Sequence, residues 1–172
     1  SMDLTTPNDP LFEKQWALNN VGQTGGNNDS DIDMPEAWDV SQGSSQIIIA
    51  IIDTGVDYTH PDLGGCLGVN CKVIGGYDFV NDDANPMDDN GHGTHTAGIA
   101  AGIINNSIGI VGVCPNCKIL AVKFLDSSGS GTLADSISAV NYAIEHGARV
   151  LSNSWGSPNG DPIMQELIYW GR

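Results

Sequence analysis

Six consecutive apolar residues, Ile47 to Ile52, run without a polar break into Asp53-Thr54-Gly55. A strand with one wet face alternates apolar and polar side chains, so an unbroken run of this kind reads as a strand covered on both faces. Three more runs resemble it, which gives Gln46 to Asp53, Lys72 to Phe79, Lys118 to Leu125 and Arg149 to Ser154 as the expected strands. Helical patterns lie between them. Residues 91–103, GHGTHTAGIAAGI, carry small and apolar side chains suited to a tightly packed helix. Residues 131–148, GTLADSISAVNYAIEHGA, have apolar positions at Leu133, Ile137, Val140, Tyr142 and Ile144, with Gly147 placed to end the helix. The alternation predicts an α/β fold, a parallel β-sheet with helices on both faces. Sites in such folds gather at the carboxyl ends of the strands, and Asp53 occupies one of those ends.

A carboxylate at the end of a buried strand costs several kcal/mol unless something pairs with it. A turn aspartate capping a loop is one answer. The other is a partner elsewhere in the chain, and Met87-Asp88-Asp89-Asn90-Gly91-His92-Gly93-Thr94-His95 offers it. Gly91 and Gly93 bracket His92 and leave room for close backbone approach, and the helix is expected to start here. A buried aspartate beside a histidine fixes the imidazole tautomer and stabilises the imidazolium that forms when it accepts a proton, so Asp53 and His92 read as an oriented base. His95 is expected to pack inside the helix rather than bind a metal.

Before the core, residues 1–45 are rich in Asn, Gly, Asp and Gln and read as an extended arm, with apolar anchors at Leu11, Trp16, Val21 and Trp38 and a short helix at PEAWDV. Ser1-Met2 resembles an expression scar. The 172 residues, 40% of them hydrophobic, fit one domain with a sizeable core. Twenty-one acidic against six basic residues give a formal charge of −15, which disfavours nucleic acid and anionic membranes and suits cations or cationic substrates. No apolar run is long enough to cross a bilayer, and the N-terminus lacks signal-peptide features, so a secreted form would already be processed. The cysteines fall in two close pairs. Disulfides Cys66–Cys71 and Cys114–Cys117 in an exported protein are favoured, with a four-thiolate zinc site as the rival and a redox role for CPNC weaker still.

Taken together, IIDTGVD, NGHGTHTAGIAAG and SNSWG resemble, in that order, the aspartate, histidine and substrate-strand motifs of the subtilisin-like serine proteases. The likeness extends from Pro7 to Gly156, and the arm is most similar to the thermitase-like branch. By that resemblance Asp53 and His92 are two members of a catalytic triad. It further implies that Gly129, Ser130 and Gly131, with Leu133, form one edge for an extended peptide and Ser154, Trp155 and Gly156 the other, the glycines leaving room for the incoming chain.

The resemblance also implies calcium. Ile104, Ile108 and Ile110 would give carbonyls, Asn106 a side-chain oxygen, and Asp62 and Asp9 carboxylates, an all-oxygen set suited to a hard cation. A second site would use Asp78, Asn81, Asp83 and the carbonyl of Asn85, with Asp88 substituting where Met87 departs from the pattern; its alternative is a solvated acidic loop. The Gly-Thr-Ser-x-Ala motif that carries the family's nucleophile does not occur, nor does the motif of its oxyanion asparagine. The expectation is therefore the N-terminal part of a catalytic domain over residues 46–172, with the missing C-terminal half as a partner and polypeptide as substrate. Two rivals stand beside this endopeptidase. One is a metal-dependent hydrolase using Asp53, Asp57, His60, Asp62, Asp88, Asp89, His92 and His95, and the other a calcium-stabilised fragment or peptide-binding pseudoprotease.

Overall fold

A computed structural model describes residues 6–156. Four strands, Ile48–Asp53 (β1), Val73–Asp78 (β2), Lys118–Lys123 (β3) and Val150–Ser152 (β4), form one parallel sheet in the order β2-β3-β1-β4. Each expected strand is present but shorter than its apolar run. The fourth stops at Ser152, so Ser154 lies beyond it.

Side-chain alternation along the central strands builds two cores. Ile49 and Ile51 of β1 join Ile119 and Ala121 of β3 on one face, against Ala97 and Ala101 of helix α2 (His92–Ala101). Ala50 and Ile52 join Leu120 and Val122 on the other, against Ala139, Val140 and Ala143 of helix α3 (Leu133–Glu145). The two faces are thus covered by different helices, as a doubly buried strand requires. On α3 the buried stripe is Ser136, Ala139, Val140 and Ala143; Leu133 and Ile144, expected to face inward, flank that stripe and are exposed. On α2 the stripe is Gly93, Ala97 and Ala101, which turns His95 outward; the expectation that it packs inside the helix is corrected.

The arm docks through different residues from those expected. Helix α1 (Met34–Val40) forms over PEAWDV and its preceding methionine, and Trp38 is buried. Its companions are Phe12, Leu18, Met34 and Val111, whereas Leu11, Trp16 and Val21 are exposed. The Trp38 indole N–H donates to the Val113 carbonyl at 3.1 Å, tying the arm to the run into β3.

Both cysteine pairs are disulfides, Cys66–Cys71 and Cys114–Cys117, and no free cysteine occurs among the described residues, so the zinc and redox alternatives fall. Each bridge precedes a strand at the amino end of the sheet. Ser1-Met2 and the residues after Gly156 lie outside the described residues.

Candidate functional site

Asp53 ends β1 fully buried, with its carboxylate accepting from the Thr54 backbone N–H at 2.7 Å. The His92 Nδ1 lies 2.7 Å from one carboxylate oxygen and 2.9 Å from the other. The imidazole is about half exposed, at 47%, so one nitrogen is held by a buried carboxylate while the ring still meets solvent. That is the geometry an oriented general base needs.

Two glycines make the approach possible. A Cβ on Gly93 would sit 2.0 Å from the Gly55 carbonyl oxygen, and one on Gly55 would sit 2.7 Å from that of Pro86. The start of α2, the turn after β1 and the 86–88 loop therefore touch through backbone alone. Gly91 has open space around its Cβ position; it is needed for its φ of +102°, a left-handed helix cap. The first N–H groups of α2 are then met by side chains. Asn90 Oδ1 accepts from the His92 N–H at 3.2 Å, Thr54 Oγ1 from Gly93 at 2.9 Å and Asp88 Oδ2 from Thr94 at 2.9 Å.

Asp88 also accepts from the hydroxyls of Thr54 and Thr94 and from the Asn90 and Gly91 N–H groups. Partial burial pushes its carboxyl pKa up, but the hydrogen bonds from the Thr94 hydroxyl and from the Gly91, Asn90 and Thr94 backbone outweigh that and hold it below the usual carboxylate range. With its oxygens so engaged, Asp88 braces the His92 loop.

The expected substrate edges lie beyond β3 and β4. Loop 126–130 is knitted by Asp126, whose Oδ1 accepts from the N–H groups of Ser128 and Ser130 at 2.8 and 3.0 Å. Ser130, Gly131 and Thr132 line a cleft of about 410 Å³ with Phe79, Val80, Phe124, Asp126 and Asp135. Leu133 begins α3 nearby, exposed. The fold itself requires a glycine at 131, because a Cβ on Gly131 would stand 2.5 Å from the Phe124 carbonyl oxygen. Gly129 has a φ of +78°, and Gly156 is open. Ser154 and Gly156 are exposed. The Trp155 indole donates to the Ile52 carbonyl at 2.8 Å and meets Phe124 edge-on at 4.8 Å, which joins the two edges at their roots.

At the other end of α2, the arm seats on loop 104–110. The Leu11 N–H donates to the Gly109 carbonyl at 2.9 Å, and Asn8 exchanges hydrogen bonds with Asn105 and Ser107. Asp9 is buried; its Oδ2 accepts from the Asn105 N–H at 2.8 Å, while its Oδ1 is buried with no hydrogen-bond partner. Asp62 is buried against the same loop, accepting from Asn106 Nδ2 at 2.8 Å and the Ile110 N–H at 3.0 Å. The Asn106 Oδ1 accepts from the Ile108 N–H at 2.8 Å, and Ile104 packs beside the arm's apolar cluster. Two buried carboxylates, one with an orphaned oxygen, fit a divalent cation held by oxygens.

The second expected set is bonded mostly within its own loop. Asp78 accepts from the N–H groups of Val80 and Asn81 and from Asn81 Nδ2, Asp83 accepts from the Asn85 N–H, and Asn85 Oδ1 accepts from the Tyr58 hydroxyl. Among the described residues, no three His, Cys, Asp or Glu side chains converge to hold a metal. The rival hydrolase set therefore does not assemble: Asp57 binds Thr59, the His60 Nδ1 accepts from the Asp62 N–H, and Asp89 pairs with Lys123. Sequence reasoning missed Lys123, whose register partner across the sheet is Asp53; an apolar run had hidden a buried cation.

Comparison with known proteins agrees with this geometry. The Subtilase family model matches residues 44–170. Thermitase of Thermoactinomyces vulgaris is 46% identical over 163 residues, covering 95% of this chain and 52% of that protein. A thermophilic serine proteinase of Bacillus sp. (strain AK1) is 59% identical over 120 residues, 70% of this chain and 28% of the relative, and subtilisin E of Bacillus subtilis (strain 168) is 40% identical over 131 residues, 74% and 32%. The chain thus spans about half the length of thermitase and less of the other two. A parallel sheet with an aspartate–histidine pair at its carboxyl edge, and a family match over most of the sequence, place this chain in the Subtilase family.

Proposed function

We propose that this chain supplies the aspartate and histidine of a secreted serine-type endopeptidase. The observation that carries the reading is His92 Nδ1 at 2.7 Å from the buried Asp53 carboxylate, with the ring still open to solvent. The second imidazole nitrogen takes the proton of an attacking serine and returns it to the leaving amine, while Asp53 holds the tautomer and balances the imidazolium. On this reading the nucleophile is a serine outside these residues, which span about half the length of thermitase. Polypeptide binds as an added strand between the 129–133 and 154–156 segments, with main-chain bonds giving affinity.

Calcium would be held by Asp9, Asp62, Asn106 and the carbonyls of Ile104, Ile108 and Ile110, with residues 1–45 acting as the arm that completes the shell; its contribution is structural. The two disulfides support export, where such bridges persist. No helix among the described residues is long and apolar enough to cross a membrane. The test is a fluorophosphonate probe and a casein assay on the chain alone and on the chain folded with the rest of its domain. We expect no labelling alone, labelling and cleavage together, and loss of cleavage in His92→Ala. Calcium and peptide binding without turnover in the complete protein would leave a peptide-binding pseudoprotease instead.

A further inference from the structure

Lys123 is one of the largest fully buried side chains, at 1% exposure, and the proposed reaction does not use it. Its three ammonium protons have three acceptors: the Thr54 carbonyl at 2.7 Å, Asp89 Oδ1 at 2.7 Å and the Leu125 carbonyl at 2.8 Å. These acceptors belong to three separate segments. Thr54 follows Asp53 and binds its carboxylate; Asp89 lies in the loop that delivers His92; Leu125 begins the segment leading to Ser130. Backbone bonds repeat the convergence, since the Asp53 carbonyl accepts from both Phe124 and Leu125.

We infer that Lys123 is a positioning residue, a three-way ammonium clamp that sets Asp53, His92 and the 125–131 peptide edge in mutual register. The inference rests on the protease reading above. Its physical content is that an ammonium offers three donors around one atom, so releasing any acceptor frees one segment relative to the other two. A misplacement on the order of 1 Å in such a constellation costs about 100-fold in rate.

A readout independent of turnover is the downfield proton resonance expected of a His92 Nδ1–H shared with Asp53. Lys123→Met removes all three ties. Asp89→Ala removes only the tie to the His92 loop, from a side chain that is 48% exposed, so water can take the vacated place beside the ammonium, and urea unfolding of each variant separates a loss of fold from a loss of register. We expect the resonance to shift or broaden in both. In the complete domain, Asp89→Ala should lower kcat about tenfold with KM little changed, and Lys123→Met about 100-fold with KM raised as the peptide edge also loosens. Asp89→Asn, which keeps the acceptor oxygen, should recover most of the Asp89→Ala loss. A resonance present in the unsubstituted chain and unmoved in Asp89→Ala, with kcat unchanged, overturns the clamp and leaves the protease reading standing. Absence of that resonance in the unsubstituted chain would overturn both.

Discussion

Lys72 carries its charge where the fold gives it little water. Burial, helped by the Lys118 cation and opposed by Asp62, brings its pKa down to about 8, and its Nζ donates to the Pro115 carbonyl. The unfolded chain holds the same proton to about pH 10.4. Between those values the unfolded state binds more protons, so stability rises with pH across the window. Melting curves between about pH 8 and pH 10 should show that rise in the native sequence and a flatter profile in Lys72→Met; an equal slope in both would acquit Lys72. Gly93 makes the other prediction at this scale. Since its Cβ would lie 2.0 Å from the Gly55 carbonyl oxygen, Gly93→Ala must displace backbone and should cost about 1–3 kcal/mol in urea unfolding, with the His92–Asp53 contact lengthened. Glycines on either side of a histidine show in the sequence. Which one faces a carbonyl and which only needs a positive φ does not, because that depends on where the 86–88 loop and the β1 turn pass.

The strands and helices were legible because doubly buried strands leave uninterrupted apolar runs, and β1 and β3 are such strands. Their ends were less so: β4 closes at Ser152 although apolar and polar residues continue, since pairing to β1 extends only from Ile49 to Ile51. Two readings failed for one reason. His95 and the arm's Leu11, Trp16 and Val21 were assigned from residue type, whereas burial follows the stripe that meets the sheet or the arm cluster. Lys123 failed the other way, a charge buried because three acceptors surround it. Helix α3 offers a measurable case of local chemistry. Thr132 is its N-cap, with its hydroxyl accepting from the Asp135 N–H at 3.1 Å, so Thr132→Ala should lower stability by about 1 kcal/mol, read by chemical denaturation. A change near zero would mean the Asp135 N–H finds water at no cost.

At the scale of the molecule, the arm and loop 104–110 are far apart in sequence yet share Asp9 and Asp62 as neighbours of one loop. A cation bound there stabilises only the folded chain, by about 2.7 kcal/mol at a hundredfold excess over Kd. Melting temperature should therefore rise from chelator to millimolar calcium, and Asp62→Ala should abolish most of the rise. No shift in the native sequence would exclude the site. The ligand set is proposed from the resemblance, whereas the orphaned Asp9 oxygen could not be read from the sequence, because only the folded arm removes water from it.

The strand order has a consequence for synthesis. β1 and β2 are made first, yet neither pairs with the other; both wait for β3, which lies between them. Seventy residues separate the end of β1 at Asp53 from the end of β3 at Lys123. At roughly 5–20 residues per second, the ribosome holds the run Ile47 to Ile52 without a strand partner for about 4 to 14 s. During that interval a six-residue apolar run is open to chaperones, or to the same segment of a neighbouring polysome's product.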